Sequence, residues 1–190
     1  MKKIAVFASG SGSNAEKIIE YFQEKPVARV EIILSNKKDA FVLERAKKFN
    51  IPTYVFDRQE FYNTDKIIEL LSGHQVDLIV LAGFLWLVPG NLLINYPNRI
   101  VNIHPALLPK YGGKGMFGMR VHDAVVANNE SNSGITIHYI NERYDEGDII
   151  FQAKCPINPS ESADAVAQKV HALEYEHFPR VIEEILQKIG

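Results

Sequence analysis

Two stretches of this chain gather polar side chains where a strand opens into a loop. The first is Asn102-Ile103-His104-Pro105. Residues two apart on an extended strand face the same side, so Asn102 and His104 are expected to share one cleft. An Asn amide donates to a developing oxyanion. A His donates too, or serves as acid or base near neutral pH. Pro105 stops the strand and stiffens the turn. An isolated Asn-x-His equally fits two side chains bonded to loop backbone.

The second stretch is Ser9-Gly10-Ser11-Gly12-Ser13-Asn14-Ala15. Gly10, Gly12 and Ala15 fit the G-x-G-x-x-G/A dinucleotide pattern. That pattern also wants an acidic residue about 20 positions later to hold a ribose, and here the second strand ends in Ser35-Asn36. A phosphate cradle is another reading: glycines let N–H groups approach an anion, a helix N-terminus adds partial positive charge, and Ser11, Ser13 and Asn14 add donors. A tight turn with a serine cap is the third. No Gly-Lys-Ser/Thr follows, so this is not a P-loop.

The surrounding pattern alternates strand-like and helix-like segments. Strands are expected at Lys3–Ala8, Val30–Leu34, Thr53–Phe56, Leu78–Ala82, Arg99–Ile103, Gly134–Ile140 and Ile149–Ala153. Helices are expected from the glycine turn to about Glu24, then at Ala40–Phe49, Lys66–Leu71, Val121–Ala127 and about Ser162–Lys188. Leu78–Ala82 is wholly apolar, as befits a strand buried on both faces. Repeated βα units imply an α/β fold: a Rossmann-like, mostly parallel sheet with helices on both faces. Ligands in such folds bind at the C-terminal ends of the strands. The loops to examine are therefore Ser9–Asn14, Gly83–Pro89, Ile103–Gly118 and Asn141–Asp148.

The chain has 190 residues, which suits a single domain over 1–190. Its formal net charge of −2 gives no broad footprint for nucleic acid or an acidic membrane. The single cysteine, Cys155, makes no internal disulfide, and no Cys/His pairing points to a metal. The apolar run Ile4–Ala8 is too short for a signal peptide, and no stretch reaches the ~20 apolar residues that span a bilayer. The cytoplasm is the expected location.

After Pro105 comes Ala106-Leu107-Leu108-Pro109-Lys110-Tyr111-Gly112-Gly113. This string resembles the signature of the folate-dependent formyltransferases, in which Asn-x-His-Pro precedes Ser/Ala-Leu-Leu-Pro and Tyr-x-Gly. The resemblance covers nearly the whole chain. Leu81-Ala82-Gly83-Phe84 is similar to the family's entry to the folate pocket. Gly134-Ile135-Thr136-Ile137-His138 with Asp145-Glu146-Gly147 is similar to its catalytic-aspartate loop. The Gly12-Ser13-Asn14 turn resembles the branch that formylates a phosphoribosyl glycinamide.

The resemblance implies transfer of a formyl group from 10-formyltetrahydrofolate to that amine, through a tetrahedral intermediate. It makes Asn102 and protonated His104 the oxyanion donors, with Asp145 assisting through water or by tuning His104. His138 is expected to support the site from the preceding strand. Gly12, Ser13, Asn14, His171 and Glu174 are the implied contacts to the acceptor, with Lys110 near its phosphate. Leu85, Trp86, Leu87 and Val88 are the implied folate strip, with Asn102 beside it. Two positions depart from the family: Trp86 stands where an Arg is common, and Gln59, beside Arg58, matches the Arg that holds the folate tail. Lys114–Met119 is expected to be a mobile lid, with His122 in reach of the site. The expected partners are small molecules, without metal, nucleic acid or membrane, and the expected state is monomer or homodimer. The alternatives are another 10-formyltetrahydrofolate-dependent formyltransferase or hydrolase, and a nucleotide-binding module without catalysis, which accounts for the glycine loop but not for Asn102, His104 and Asp145 together.

Overall fold

A computed structural model describes residues 1–189. The first strand, β1 (Lys2–Phe7), shows how the fold is set. Ile4 and Val6 face one side, Ala5 and Phe7 the other, and all four are fully buried. A strand covered on both faces must be central, and helices must lie on either side.

The chain runs on through α1 (Ser13–Glu24), β2 (Ala28–Ser35), α2 (Val42–Lys48), β3 (Thr53–Val55), α3 (Arg58–Asn63) and α4 (Lys66–Gly73). Then come β4 (Leu78–Leu81), α5 (Gly90–Asn95), β5 (Ile100–His104), α6 (Met119–Ala127), β6 (Asn132–Tyr139), β7 (Ile149–Pro156) and α7 (Ala163–Lys188). The strands form one sheet in the order β3-β2-β1-β4-β5-β6-β7. β1 to β5 are parallel, as expected. β6 is antiparallel to both β5 and β7.

One apolar layer packs α1, α2 and α7 on the sheet; the other packs α3, α4 and α5 against Ala5, Phe7, Ile79 and Leu81. Ile100 belongs to the second layer, and Val101 and Ile103 to the first. Asn102 and His104 therefore lie on the same face as Ile100.

The short helices α3 and α5 are absent from the sequence expectations, and the expected boundaries shift by up to a few residues elsewhere. α3 begins with a reciprocal cap: the Asp57 side chain accepts from the Glu60 N–H, and Glu60 reaches back to the Asp57 N–H. α7 begins at a cap on Ser162, whose side chain accepts from the Ala165 N–H at 3.2 Å. No helix among the described residues is long and apolar enough to cross a membrane.

The switch point falls between β1 and β4, where the chain leaves in opposite directions. Ser9, which is buried, ties the loops there together. Its N–H donates to the Gly83 carbonyl at 3.0 Å, and its hydroxyl donates to Asn36 Oδ1 at 2.7 Å and accepts from the Leu85 N–H at 3.1 Å. Asn36 stands where a dinucleotide fold wants its ribose carboxylate, and it serves here as a loop tie.

Candidate active site

Two loops meet over the face that carries Asn102 and His104. One is the segment after Pro105, the other the β6–β7 connection that carries Asp145. The antiparallel register sets Asn102 opposite His138 and His104 opposite Thr136. The Asn102 amide donates to His138 Nε2 at 3.1 Å, while His138 Nδ1–H donates to the Tyr139 carbonyl at 2.8 Å. The second bond selects the tautomer whose Nε2 accepts. That fixes the Asn102 amide and leaves its second N–H for another acceptor. Thr136 holds the start of the loop, donating to the Ala106 carbonyl at 2.7 Å and accepting from the Leu108 N–H at 3.0 Å.

Asp145 lies between the two histidines. Its Oδ2 is 3.5 Å from His104 Nδ1, its Oδ1 is 3.6 Å from His138 Nε2, and Oδ2 accepts from the Gly113 N–H at 2.9 Å. Its backbone is left-handed, φ 56°, which Asp tolerates better than most residues. Gly112 leaves this corner uncrowded: a Cβ there would stand 2.5 Å from Leu108 Cδ2 and 3.3 Å from the Cβ of Asp145. The other His104 nitrogen, Nε2, donates to the Tyr111 carbonyl at 2.7 Å.

Both nitrogens of His104 thus face acceptors, an arrangement that suits the charged ring. Burial opposes it and pulls His104 below the ordinary imidazole value, although Asp145 and the Tyr111 carbonyl favour the charge. Burial works against the Asp145 carboxylate as well. There, His104 and the Gly113 N–H favour the charged form, and the carboxyl lies below its usual range.

The glycine turn and the last helix meet beside this pair. Gly12 caps α1 with φ 73°, and any Cβ on it would overlap Val42. Only glycine fits that position. Asn14 Nδ2 donates to Glu174 Oε2 at 3.0 Å, and His171 Nδ1 bonds the same oxygen at 2.9 Å. Glu174 sits in the buried stripe of α7, four residues from Val170 and from Phe178. A carboxylate at such a position is costly unless it is paired, and this was a signal the sequence offered. The hydrogen bond from His171 to the Glu174 carboxylate holds His171 above the ordinary imidazole value, against its burial. Asn14 Oδ1 is buried without a partner, and so is His122 Nδ1. His122 lies on α6 with its ring 6.3 Å from that of His171. Burial and the neighbouring His171 push His122 below its ordinary value. Ser13 is half-buried in the turn beside Asn14.

Lys110 does not reach this corner. It is exposed and pairs with Glu130 at 2.8 Å, so its charge is committed there.

The strip after β4 is an aromatic wall. Trp86 stacks on Tyr62 at 6.0 Å and meets Phe56 and Phe61. The Tyr62 hydroxyl donates to the Leu87 carbonyl at 3.0 Å. Leu85 is tied to Ser9 through its N–H, and Val88 is buried in the core. Gln59 is exposed, and its side chain accepts from Asn63 on the same helix. Arg58 takes the other direction, its guanidinium 4.8 Å from the Trp86 ring centroid.

The structure therefore brings Asn102, His104 and Asp145 together, and separately Asn14, His171 and Glu174. Sequence reasoning missed the roles of Ser9, whose partners are distant in the chain, and of Tyr111, which meets His104 through its main-chain carbonyl. In Lys114–Met119, the segment expected to be a lid, Gly115 and Gly118 take positive φ, as does Gly113 just before it. No cluster of His, Cys, Asp and Glu suited to a metal occurs among the described residues.

Comparison with known proteins adds an independent line. A family model described as formyl transferase matches residues 2–182. The chain is 38% identical to a phosphoribosylglycinamide formyltransferase from Bacillus subtilis, over 98% of this chain and 95% of the relative. It is also 38% identical to the enzyme of that name from Haemophilus influenzae, over 96% of this chain and 86% of the relative. It spans 66% of the length of a chloroplastic relative from Arabidopsis thaliana. Among solved structures, glycinamide ribonucleotide transformylase 1 from Geobacillus kaustophilus superposes with a TM-score of 0.87 at 36% identity, over all of both chains. The phosphoribosylglycinamide formyltransferase of Anaplasma phagocytophilum gives a TM-score of 0.89 at 30% identity, over 98% of this chain and 87% of that one. Sequence, fold and family model agree: the chain belongs to the formyltransferase family, among its phosphoribosylglycinamide formyltransferases.

Proposed function

We infer that the protein transfers the formyl group of 10-formyltetrahydrofolate to the amine of N1-(5-phospho-D-ribosyl)glycinamide, a step of purine biosynthesis. The observation that carries the catalytic reading is the convergence of Asn102, His104 and Asp145 on one sheet face. The amine attacks the formyl carbon and a tetrahedral oxyanion forms. The free N–H of the Asn102 amide donates to it. His104, when charged, sets its positive charge beside it, and Asp145 favours that charge. The amine then loses a proton, N10 of the folate gains one, and the C–N10 bond breaks. Asp145 and His104 are the titratable pair in position to pass that proton. Holding both reactants here supplies the remaining advantage, at best roughly 7–11 kcal/mol.

The acceptor lies along Gly12, Ser13 and Asn14 at the N-terminus of α1, which favours a phosphate. Glu174 and the buried Asn14 Oδ1 accept hydroxyl donors, and His171 flanks them. The folate lies on the strip from Leu85 to Val88, with Trp86 as its aromatic face. Arg58, rather than Gln59, takes the tail carboxylate, because only Arg58 sits over Trp86. One domain over residues 1–190 performs the reaction in the cytoplasm, as a monomer or homodimer acting on small molecules.

The test is a formyl-transfer assay with glycinamide ribonucleotide, followed by loss of formylfolate. Turnover is expected for the wild-type chain, with losses on the order of 10²-fold or more for Asn102→Ala and His104→Ala. Near-normal turnover in both variants would sink the assignment of these residues. No transfer by the wild-type protein would sink the function itself.

A further inference from the structure

We propose that Tyr111 and Glu130 are positioning residues that hold His104 through a main-chain carbonyl. The inference rests on His104 being the working histidine, and it names two residues that govern its state without touching substrate.

The connection is built from short bonds. His104 Nε2 donates to the Tyr111 carbonyl at 2.7 Å. Tyr111 has left-handed backbone, φ 57°. A bulky residue adopts this conformation only where its surroundings impose it. Two contacts impose it here. The phenol hydroxyl donates to Glu130 Oε1 at 2.9 Å, and the ring packs on the small cluster of Ala106, Val121 and Val125. Lys110 bonds the same Glu130 oxygen at 2.8 Å and fixes the carboxylate in turn. Glu130 stands 26 residues beyond His104 in the chain, on the α6–β6 connection. The residue that orients the histidine is thus anchored outside the site, on the wall of a cavity of about 250 Å³ that Lys154 also lines.

The consequence is chemical. A carbonyl that accepts Nε2–H turns Nδ1 toward Asp145 and favours the charged ring. The groups facing His104 from other elements are Asp145 and Glu174, which also favour the charge, and His138 and His122, which oppose it. Burial is the largest opposing influence. Freeing Tyr111 removes one of the few supports, so His104 gives up its proton at lower pH. If the charged ring is the active form, the limb on which turnover falls with rising pH moves to lower pH.

The experiment follows His104 directly by nitrogen NMR of the histidine side chains, in the substrate-free full-length protein. The variants are Tyr111→Phe, Glu130→Ala and Lys154→Ala. In the wild type the neutral ring is expected to carry its proton on Nε2. In Tyr111→Phe and Glu130→Ala the His104 midpoint falls, kcat drops about tenfold, and KM for both substrates stays unchanged. Lys154→Ala, on the same cavity wall but outside the chain of bonds, leaves midpoint and kcat as they were. Glu130→Gln keeps the acceptor but loses the charge pair, and shifts the midpoint less than Glu130→Ala; it serves should Glu130→Ala fail to fold. An unchanged midpoint in folded Tyr111→Phe, or an equal shift in Lys154→Ala, overturns the proposal. The NMR readout needs no turnover, so an inactive wild-type enzyme would remove the proposed function and leave this inference to be judged separately.

Discussion

At the scale of the residue, the site is a contest between burial and partners. The Asp145 carboxyl is held low by His104 and the Gly113 N–H against its burial; His104 is pushed toward neutrality although an acceptor lies at each ring nitrogen. Asp145→Asn isolates the charge, since the amide oxygen can still accept from the Gly113 N–H. Its expected effect is a kcat loss on the order of 10²-fold with little change in KM, and a lower His104 midpoint. Steady-state kinetics with histidine NMR checks both, and an unchanged midpoint refutes the role of Asp145 as the support of His104's charge. The period-2 pairing of Asn102 with His104 was legible in the sequence. Asp145 was not legible from local pattern, because an Asp-Glu-Gly string reads equally as a turn; only the family resemblance raised it. Tyr111 was illegible in its working part, because the group that matters is its carbonyl.

At the scale of the element, most strands and helices followed from apolar periodicity, with ends displaced where the ladder hydrogen bonds continue past the apolar run. The short helices α3 and α5 were missed, since six residues carry too little periodicity to read. For α3 a signal did exist: Asp57-x-x-Glu60 has the spacing of a capping box. The direction of β6 was illegible, because alternation reads the same from either end. On the proposed reading of Arg58, the cap on α3 carries functional weight, since Arg58 is the next residue. Asp57→Ala is expected to destabilise the protein by about 1 kcal/mol and, by loosening Arg58 above Trp86, to raise KM for formylfolate with kcat preserved. Denaturant melts with steady-state kinetics check this; lower stability with an unmoved KM separates the cap from the folate wall.

At the scale of the molecule, buried histidines tie stability to pH. His104 and His122 both lie below the ordinary value of 6.5. For each, the unfolded chain takes up protons first as pH falls through 6.5, so the folded state loses stability on acidification. His171 runs the other way: raised by Glu174, it contributes fully below 6.5 and loses that contribution as pH rises through its folded value. Being half-exposed, it offsets only part of the loss. The Tm is therefore expected to fall between about pH 7.5 and pH 5, and to fall less in His122→Asn. Thermal melts over that range decide it; a flat wild-type profile contradicts the assignment of buried neutral histidines.

The hydrogen bond from Asn14 to Glu174 joins the first helix to the last across 160 positions. A ribosome delivers α1 early and α7 late. While the chain is being made, the glycine turn can fold on β1 and β2, but its carboxylate partner has not yet emerged. If Asn14 and Glu174 hold the acceptor as proposed, its seat is complete only once α7 has docked on α1, so the order of synthesis places the pairing of this seat after the making of β5 and its Asn102 and His104.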